Sequence, residues 1–473
     1  MHEQRLRPAT RKVTRAPAGA LAIVATLIFA ACAAPAGPSP VASAEPPASA
    51  AATDAPATPS APPEPITLTL WLKGQEGTVN TVTGLTEEYT KLNPHVTFET
   101  SFMGDDLVSP ALLPALNAGT GPDIWEAGIG PGQPAAVIDA GHTLDLTPYF
   151  RELGWAEIIP DGVIDRTSSG GKLNGVGQSV QTTVMFYNKA IFAEKSLAVP
   201  TTWAEFIALE DALKVDYPTV VGLPAGDGWP ISHNQTAFWG LCAGPDKVNE
   251  VLFGDGRWDD ESIVTATNLL VEQNEKGYFG PNPLAIGYRD NLASFFQGDI
   301  PMVFTGTFFF PDWLETVGDS IKDFGAFAMP NPCGGPIYPT ESIAGAWYVN
   351  AKSAAPDEAV KFLDFLNFSD QGRSTLLASG LVPVGEVSGE GLAALPQIHQ
   401  EVLKLNDGNR SNGSVEAFFD TVMPANVSTV TYDGLQAMLT GQTSAEDFVG
   451  AIQTAWEEAK ANGDILKPGG IEP

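Results

Sequence analysis

The stretch ITLTLWLKGQEGTVNTVTGLTEEYTKLNPHVTFETSF, residues 66–102, decides the fold class. Ile66 to Leu72 alternate with the period of two of a half-buried strand, and the loop KGQEG follows. TVNTVTGLTEEYTKL then reads as a helix, which Asn93 and Pro94 stop, because the residue before a proline is pushed out of the helical region. HVTFETSF alternates again. Strand, helix and strand in this order predict two parallel strands joined by a right-handed crossover, and so an α/β architecture. The same grammar continues outward. Thr202 and Glu205 form a capping box ahead of WAEFIALEDALK, and Pro356, Asp357 and Glu358 open a helix with Ala359, Phe362, Leu363 and Leu366 on one face. Ser444 and Asp447 start a last helix whose inner stripe is Phe448, Ile452 and Trp456. No internal repeat is visible.

The chain holds 25 basic and 56 acidic residues. Arg5, Arg7, Arg11, Lys12 and Arg15 make a basic start, and an apolar segment from about Ala18 to Ala31 follows. That segment is shorter than the roughly 20 residues needed to cross a bilayer, so residues 1–31 are expected to be a cleaved export signal. Without them the chain keeps 20 basic and 55 acidic residues, a net charge near −35. Such a chain repels nucleic acid and anionic lipid surfaces, and both are excluded as partners. Residues 32–65, rich in Ala, Pro, Ser and Thr, have too little apolar bulk to fold and are expected to form a disordered tether. A cysteine at the cut, followed by a tether, resembles the lipobox of bacterial lipoproteins, in which the cysteine is acylated and becomes the new N-terminus. Ala30 and Ala31 fit that pattern, and Phe29 stands where it prefers Leu. Cys32 is thus the expected lipidation site, with an ordinary secretory signal or an uncleaved anchor as alternatives.

About 400 residues remain, more than the roughly 250 to 300 at which one core usually splits, so two lobes are expected. Cys242 and Cys333 are the remaining thiols; in an oxidising compartment they can pair, although sequence does not fix their distance. The histidines His2, His95, His142, His233 and His399 are scattered, without a metal-binding spacing. GIGPGQ (128–133) lacks the third glycine of a dinucleotide loop. DGNRSNGSVEAF (407–418) lacks the glycine and the final glutamate of a calcium loop. Neither metal nor cofactor is called for. A pair of catalytic carboxylates needs only spatial closeness, so a glycoside-acting enzyme stays open at this stage.

Seven short blocks, in order, resemble the family 1 extracellular solute-binding proteins of ABC importers, whose best-known relatives bind maltose and other sugars. They are LTLWLKGQEG, LTEEYTKLNPHVTFET, ALNAGTGPDIWEAG, GKLNGVGQSVQTTVMFYNKAIF, VPTTWAEF, FFQGDIPMVFTGTFFF and AGAWYVNAKSAAPDEAVKFLDFL. The resemblance implies a two-lobed, periplasmic-binding-protein-like type II fold with a hinge and an interlobe cleft. Lobe one is expected over 66–182 plus 341–368, and lobe two over 183–340 plus 369–473. It also implies a monomeric, membrane-anchored receptor on the extracellular or periplasmic face, which captures a mono- or oligosaccharide and delivers it to the permease subunits of an ABC importer without catalysis.

A sugar needs aromatic plates for its C–H faces and polar side chains for its hydroxyls. Gln75 and Glu76 sit at the family's polar contact positions after Lys73, and Glu126 and Gln133 follow PDIW. Gln181 matches a position that often carries a ligand-binding acid in relatives. GDGWPISHN supplies Asp227, Trp229 and His233, and Phe308 stands where relatives often carry a stacking Trp. Trp347 follows the second hinge crossing, and Phe419, Asp420 and Asn426 lie in a late loop that commonly reaches the cleft. For each aromatic, a place in the core is the alternative. Asp123 and Tyr187 are read as structural. Two other ligand classes compete: a polyamine, suited by Glu76, Glu126, Asp227 and Trp229, and a phosphorylated polyol or metal chelate, for which Lys73 is nearly the only cation in these loops.

Overall fold

β1 (Ile66–Leu72) and β2 (Val96–Phe102) are parallel, with Ile66 opposite Val96 and Leu72 opposite Phe102, and the helix Glu76–Leu92 makes the crossover between them. This computed structural model describes residues 63–73, 76–103, 111–132, 134–343 and 345–466. The signal with Cys32, the tether up to residue 62, Gln75 and Gln133 lie outside the described residues. β3 (Ile124–Ala127) adds to the other side of β1, again parallel. Leu68, Leu70 and Leu72 of β1 are buried with Val82 and Leu85 of the crossover helix and Phe362 and Leu363 of the helix Pro356–Phe368. The alternation of β1 thus buries its leucines in one core.

A hairpin, β4 (Ser168–Ser169) and β5 (Lys172–Leu173), leads into β6 (Gly175–Gly177). One residue later the chain enters β7 (Ser179–Asn188). β8 (Val221–Gly222) and β9 (Met302–Gly306) are parallel to each other, and β9 runs antiparallel along β7. β10 (Phe324–Phe327) and β11 (Thr340–Ile343) also pair antiparallel with β7. The chain then returns through β12 (Ala346–Val349), which lies between β3 and β6. β13 (Val382–Pro383) pairs with the start of β7, and β14 (Val415–Glu416) with β11. The result is a five-stranded sheet and a seven-stranded sheet that share two crossing segments.

Those segments run antiparallel. Gly177 faces Ala346 on one side of the crossing and Val180 faces Ile343 on the other, while the Gln178 N–H donates to the Gly345 carbonyl at 2.9 Å. Gly345 has no room for a side chain, since a Cβ there would sit 2.7 Å from the Ala127 carbonyl oxygen. Along β7 the period of two separates two further cores. Met185 packs with Trp239, Trp258 and Phe419, whereas Val184 and Phe186 pack with Phe295, Phe309 and Trp313. Both faces of the second sheet are therefore covered, as an α/β layer requires. The first-sheet core also takes in Leu376 and Val384, and Ile398 and Val402 belong to the core around Phe186.

The local signals act as the sequence suggests. Thr202 and Glu205 exchange both capping bonds at the start of the helix Trp203–Lys214, and Ser444 caps Ala445–Asn462 by accepting from the Asp447 N–H at 3.0 Å. Cys242 and Cys333 form a disulfide with a Cα–Cα distance of 5.2 Å, beside the point where Gly244 (φ 75°) and Pro245 break the helix Gly228–Phe253. Among the described residues no helix is long and apolar enough to cross a membrane.

His399 is 1% exposed and lies flat on Phe310, with ring centroids 4.6 Å apart at 11°. Burial pushes its imidazole down from 6.5 to about 4. The unfolded chain therefore takes up a proton between these values that the folded chain refuses, so the stability is complete above about pH 6.5 and is lost as the pH falls toward 4. The shift corresponds to about 3 kcal/mol. Urea denaturation at pH 7 and pH 4.5 should show His399→Leu losing less stability on acidification than the parent chain.

Candidate ligand-binding cleft

A cavity of about 190 Å³ opens where the two sheets exchange strands. Its floor is the first crossing, with Gln178, Ser179 and Gln181. The Gln181 amide is 1% exposed and is engaged at both ends: it donates to Ser179 Oγ at 2.5 Å and accepts from Thr307 Oγ at 2.7 Å. It shapes the floor and ties it to the segment that carries Phe308.

On the first-sheet side stand Lys73, Glu126, Gly128 and Trp347. Glu126, the last residue but one of β3, lies directly opposite Trp347 of β12, and it accepts the Lys73 N–H at 3.1 Å, which fastens the end of β1 to that of β3. The opposite wall is aromatic. Trp229, half-buried at the start of the helix Gly228–Phe253, meets Tyr288 at 4.6 Å and Phe308 at 5.9 Å between ring centroids. His233, one turn on, packs on Phe418 at 4.6 Å. Its Nε2 stands 3.3 Å from Asp420 Oδ1, and the Tyr432 hydroxyl donates to Asp420 Oδ2 at 2.7 Å. Burial alone would push the Asp420 carboxyl up, but His233 and these hydrogen bonds outweigh it and hold the group below the usual carboxylate range.

The structure thus brings together Glu126, Gln181, Trp229, His233, Phe308, Trp347 and Asp420. Others are placed elsewhere, each for a physical reason. Asp227 accepts the Tyr288 N–H at 2.7 Å, so it orders the start of the helix Tyr288–Gln297 from outside the cavity lining. Glu76 is the exposed first residue of the crossover helix. Phe419 is 1% exposed and stacks on Trp239 at 5.8 Å in the core. Asn426 donates to the Ala455 carbonyl at 3.2 Å, which ties Ala425–Leu439 to Ala445–Asn462. Lining residues beyond the sequence reading include Tyr288, Asp312, Asn367, Phe418 and Thr421. Among the described residues no cluster of three or more His, Cys, Asp or Glu could hold a metal ion.

The two lobes touch across this cavity. Asp312 Oδ1, on the helix Phe310–Val317 of the second lobe, accepts the Gly77 N–H in the first turn of the crossover helix at 2.8 Å. A Cβ at Gly77 would stand 2.2 Å from the Pro311 carbonyl oxygen, so only glycine allows this approach. Arg166, on the helix Asp161–Thr167 that packs in the first-sheet core, reaches Glu416 of β14 with Nη2 at 2.5 Å and Nε at 3.1 Å. Glu416 Oε1 accepts the Phe418 N–H at 3.2 Å, so the ion pair fixes the segment that presents Phe418 to the cavity. The Glu416 side chain is only 2% exposed, and Glu416 in turn raises the Arg166 guanidinium. Breaking a buried pair leaves one charge stranded. Arg166→Met should therefore cost about 3 kcal/mol in urea denaturation, and adding Glu416→Gln should cost less than the sum of the single changes.

Known proteins share this architecture. An uncharacterised ABC transporter extracellular-binding protein of Pyrococcus horikoshii is 25% identical over 227 residues, 47% of this chain and 51% of that protein. A multiple sugar-binding protein of Streptococcus mutans is 25% identical over 204 residues, 41% of this chain and 47% of that protein. The chain spans about half the length of the curated relatives it matches. A solved chitin oligosaccharide binding protein superposes with a TM-score of 0.72 at 24% identity, covering 84% of this chain and 99% of that one, which establishes the two-lobed fold. The family model described as bacterial extracellular solute-binding protein matches residues 75–372. The chain is a member of the bacterial extracellular solute-binding protein family.

Proposed function

We infer that this protein captures a carbohydrate between its lobes and delivers it to an ABC importer permease, without catalysis of its own. Exported and held to the membrane through a lipid on Cys32, it works as a monomer. The observation that carries the reading is the wall of Trp229, Tyr288, Phe308 and Phe418 in a cavity whose carboxylates, on either lobe, already have partners. Glu126 accepts from Lys73, Asp312 caps Gly77, and Asp420 is held by His233 and Tyr432. A polyamine asks for carboxylates that it can neutralise, and here they serve the protein. A neutral ring with C–H faces and hydroxyls fits aromatic plates beside acceptors that need no countercharge. The names of a multiple sugar-binding relative and of a chitin oligosaccharide binding neighbour agree with this class. A glycosidase is the weaker reading, because a general acid must hold its proton, whereas Asp420 is kept ionised.

A thermal-shift screen of the full-length protein against mono- and oligosaccharides, polyols and polyamines tests the reading. A sugar at 100 times its dissociation constant should add about 2.7 kcal/mol of stability, with no product formed on standing. Trp229→Ala should raise that dissociation constant at least about tenfold while leaving the ligand-free melting temperature near the parent value. A shift with polyamines alone would overturn the carbohydrate reading, and consumption of a glycoside would replace it with the enzyme.

A further inference from the structure

The cavity has a second end, unlike the first. Past the hinge floor it runs between the crossover helix and the C-terminal turn of the helix Pro356–Phe368, where Val82, Leu366, Leu376 and Leu381 line it. Val82, Leu366 and Leu376 are buried, and Leu381 is half-buried. A free sugar, hydroxylated all round, gains little from such a surface and would leave its hydroxyls without partners there.

Asn367 stands among these residues and is 0% exposed. Its Nδ2 donates to the Leu363 carbonyl at 2.8 Å, which settles which way the amide faces, since the reverse would set two oxygens against each other. Its Oδ1 has no hydrogen-bond donor from the protein. A buried acceptor without a donor is costly, and in a cavity wall it is a contact waiting for an O–H or N–H.

We propose that this end takes an apolar substituent of the ligand that carries one hydroxyl, so that the cargo is a glycoside with a hydroxylated aryl or alkyl group rather than a bare sugar. The inference rests on the carbohydrate reading above: the aromatic wall holds the ring, and the leucine end holds what is attached to it. Asn367 Oδ1 accepts from the substituent's hydroxyl, and the leucines cover its C–H surface.

Isothermal titration of the full-length protein tests this with glucose, xylose and N-acetylglucosamine, each as the free sugar, its phenyl glycoside and its 4-hydroxyphenyl glycoside, and with spermidine beside them. For the sugar that binds, the phenyl glycoside should bind at least about tenfold tighter than the free sugar, and the 4-hydroxyphenyl glycoside about threefold to tenfold tighter again. Asn367→Leu should erase the second gain and keep the first. Leu381→Ser, at a half-buried position, should shrink the first gain whether or not the Asn367 variant folds. A free sugar that binds as tightly as its aryl glycosides overturns the inference and leaves the carbohydrate reading standing. An aryl gain that both variants leave unchanged also overturns it, by placing the aryl group elsewhere. Binding of spermidine alone overturns both, and binding of no probe in the set overturns the inference while the oligosaccharide screen above still decides the carbohydrate reading.

Discussion

The structure depends on one short antiparallel contact, the Gln178 N–H on the Gly345 carbonyl, where β6 becomes β7 and β11 becomes β12. One residue separates β6 from β7, so the two sheets are joined by backbone too short to let them drift apart. Packing explains why the contact admits little variation. Gly345 lies against the Ala127 carbonyl, and Gly177 would bring a Cβ to 2.7 Å from Val163. A two-strand connection of this kind bends about the crossing far more readily than it stretches, and this is the mechanical property a receptor with an interlobe cleft needs. It also explains why the floor of the cavity is built from Gln178, Ser179 and Gln181: they are the residues of the connection itself.

Around that floor, polar groups that look available for a ligand are largely occupied in holding the walls. Glu126 fastens β1 to β3, Asp227 sets the helix that carries Tyr288, and Asp420 braces His233 against Phe418. Buried carboxylates are stable only with such partners. The consequence for recognition is a division of labour in which charged side chains fix geometry and aromatic rings present the surface. On the proposed reading, such a site selects by shape and by the directions of a few neutral hydrogen bonds.

Sequence showed best what is local. The crossover, the capping box at Thr202 and the inner stripe of Pro356–Phe368 rest on periodicities within a few residues, and the structure repeats them. Phe308 was legible because it stands in a block that matches a family, and Trp229 and His233 because GDGWPISHN sets an aromatic ring beside polar side chains. Tyr288 was not, since it is delivered to the wall by a bond from Asp227, 61 residues earlier in the chain. Two adjacent phenylalanines posed a different problem. Phe418 lies outside the helical region at φ −133° and ψ 81°, and the helix Phe419–Val422 starts at the next residue, so one ring faces the cavity and the other Trp239. No local pattern distinguishes them. Asn367 did carry a signal, lying four residues after Leu363 on the inner face of an amphipathic helix, where a polar side chain needs a reason.

The contacts that join the lobes and the lining of the cavity share residues. Arg166 holds Glu416 with its guanidinium and accepts the Gly130 N–H at 2.9 Å with its carbonyl, and Gly130 packs so closely on the Thr421 carbonyl that a Cβ would stand 2.3 Å away. The loop after β3 and the segment 416–421 therefore meet around one arginine. Any separation of the lobes would take Glu416 from its partner and Phe418 from part of what fixes its backbone. On the proposed reading, a ligand that fills the wall would stabilise closure by the free energy of contacts it can make only there, which is the condition for any ligand to shift a conformational equilibrium. The cross-lobe cap of Gly77 by Asp312 works to the same end at the leucine side of the cavity, because a carboxylate at the start of a helix is favourable and exists only while the lobes touch.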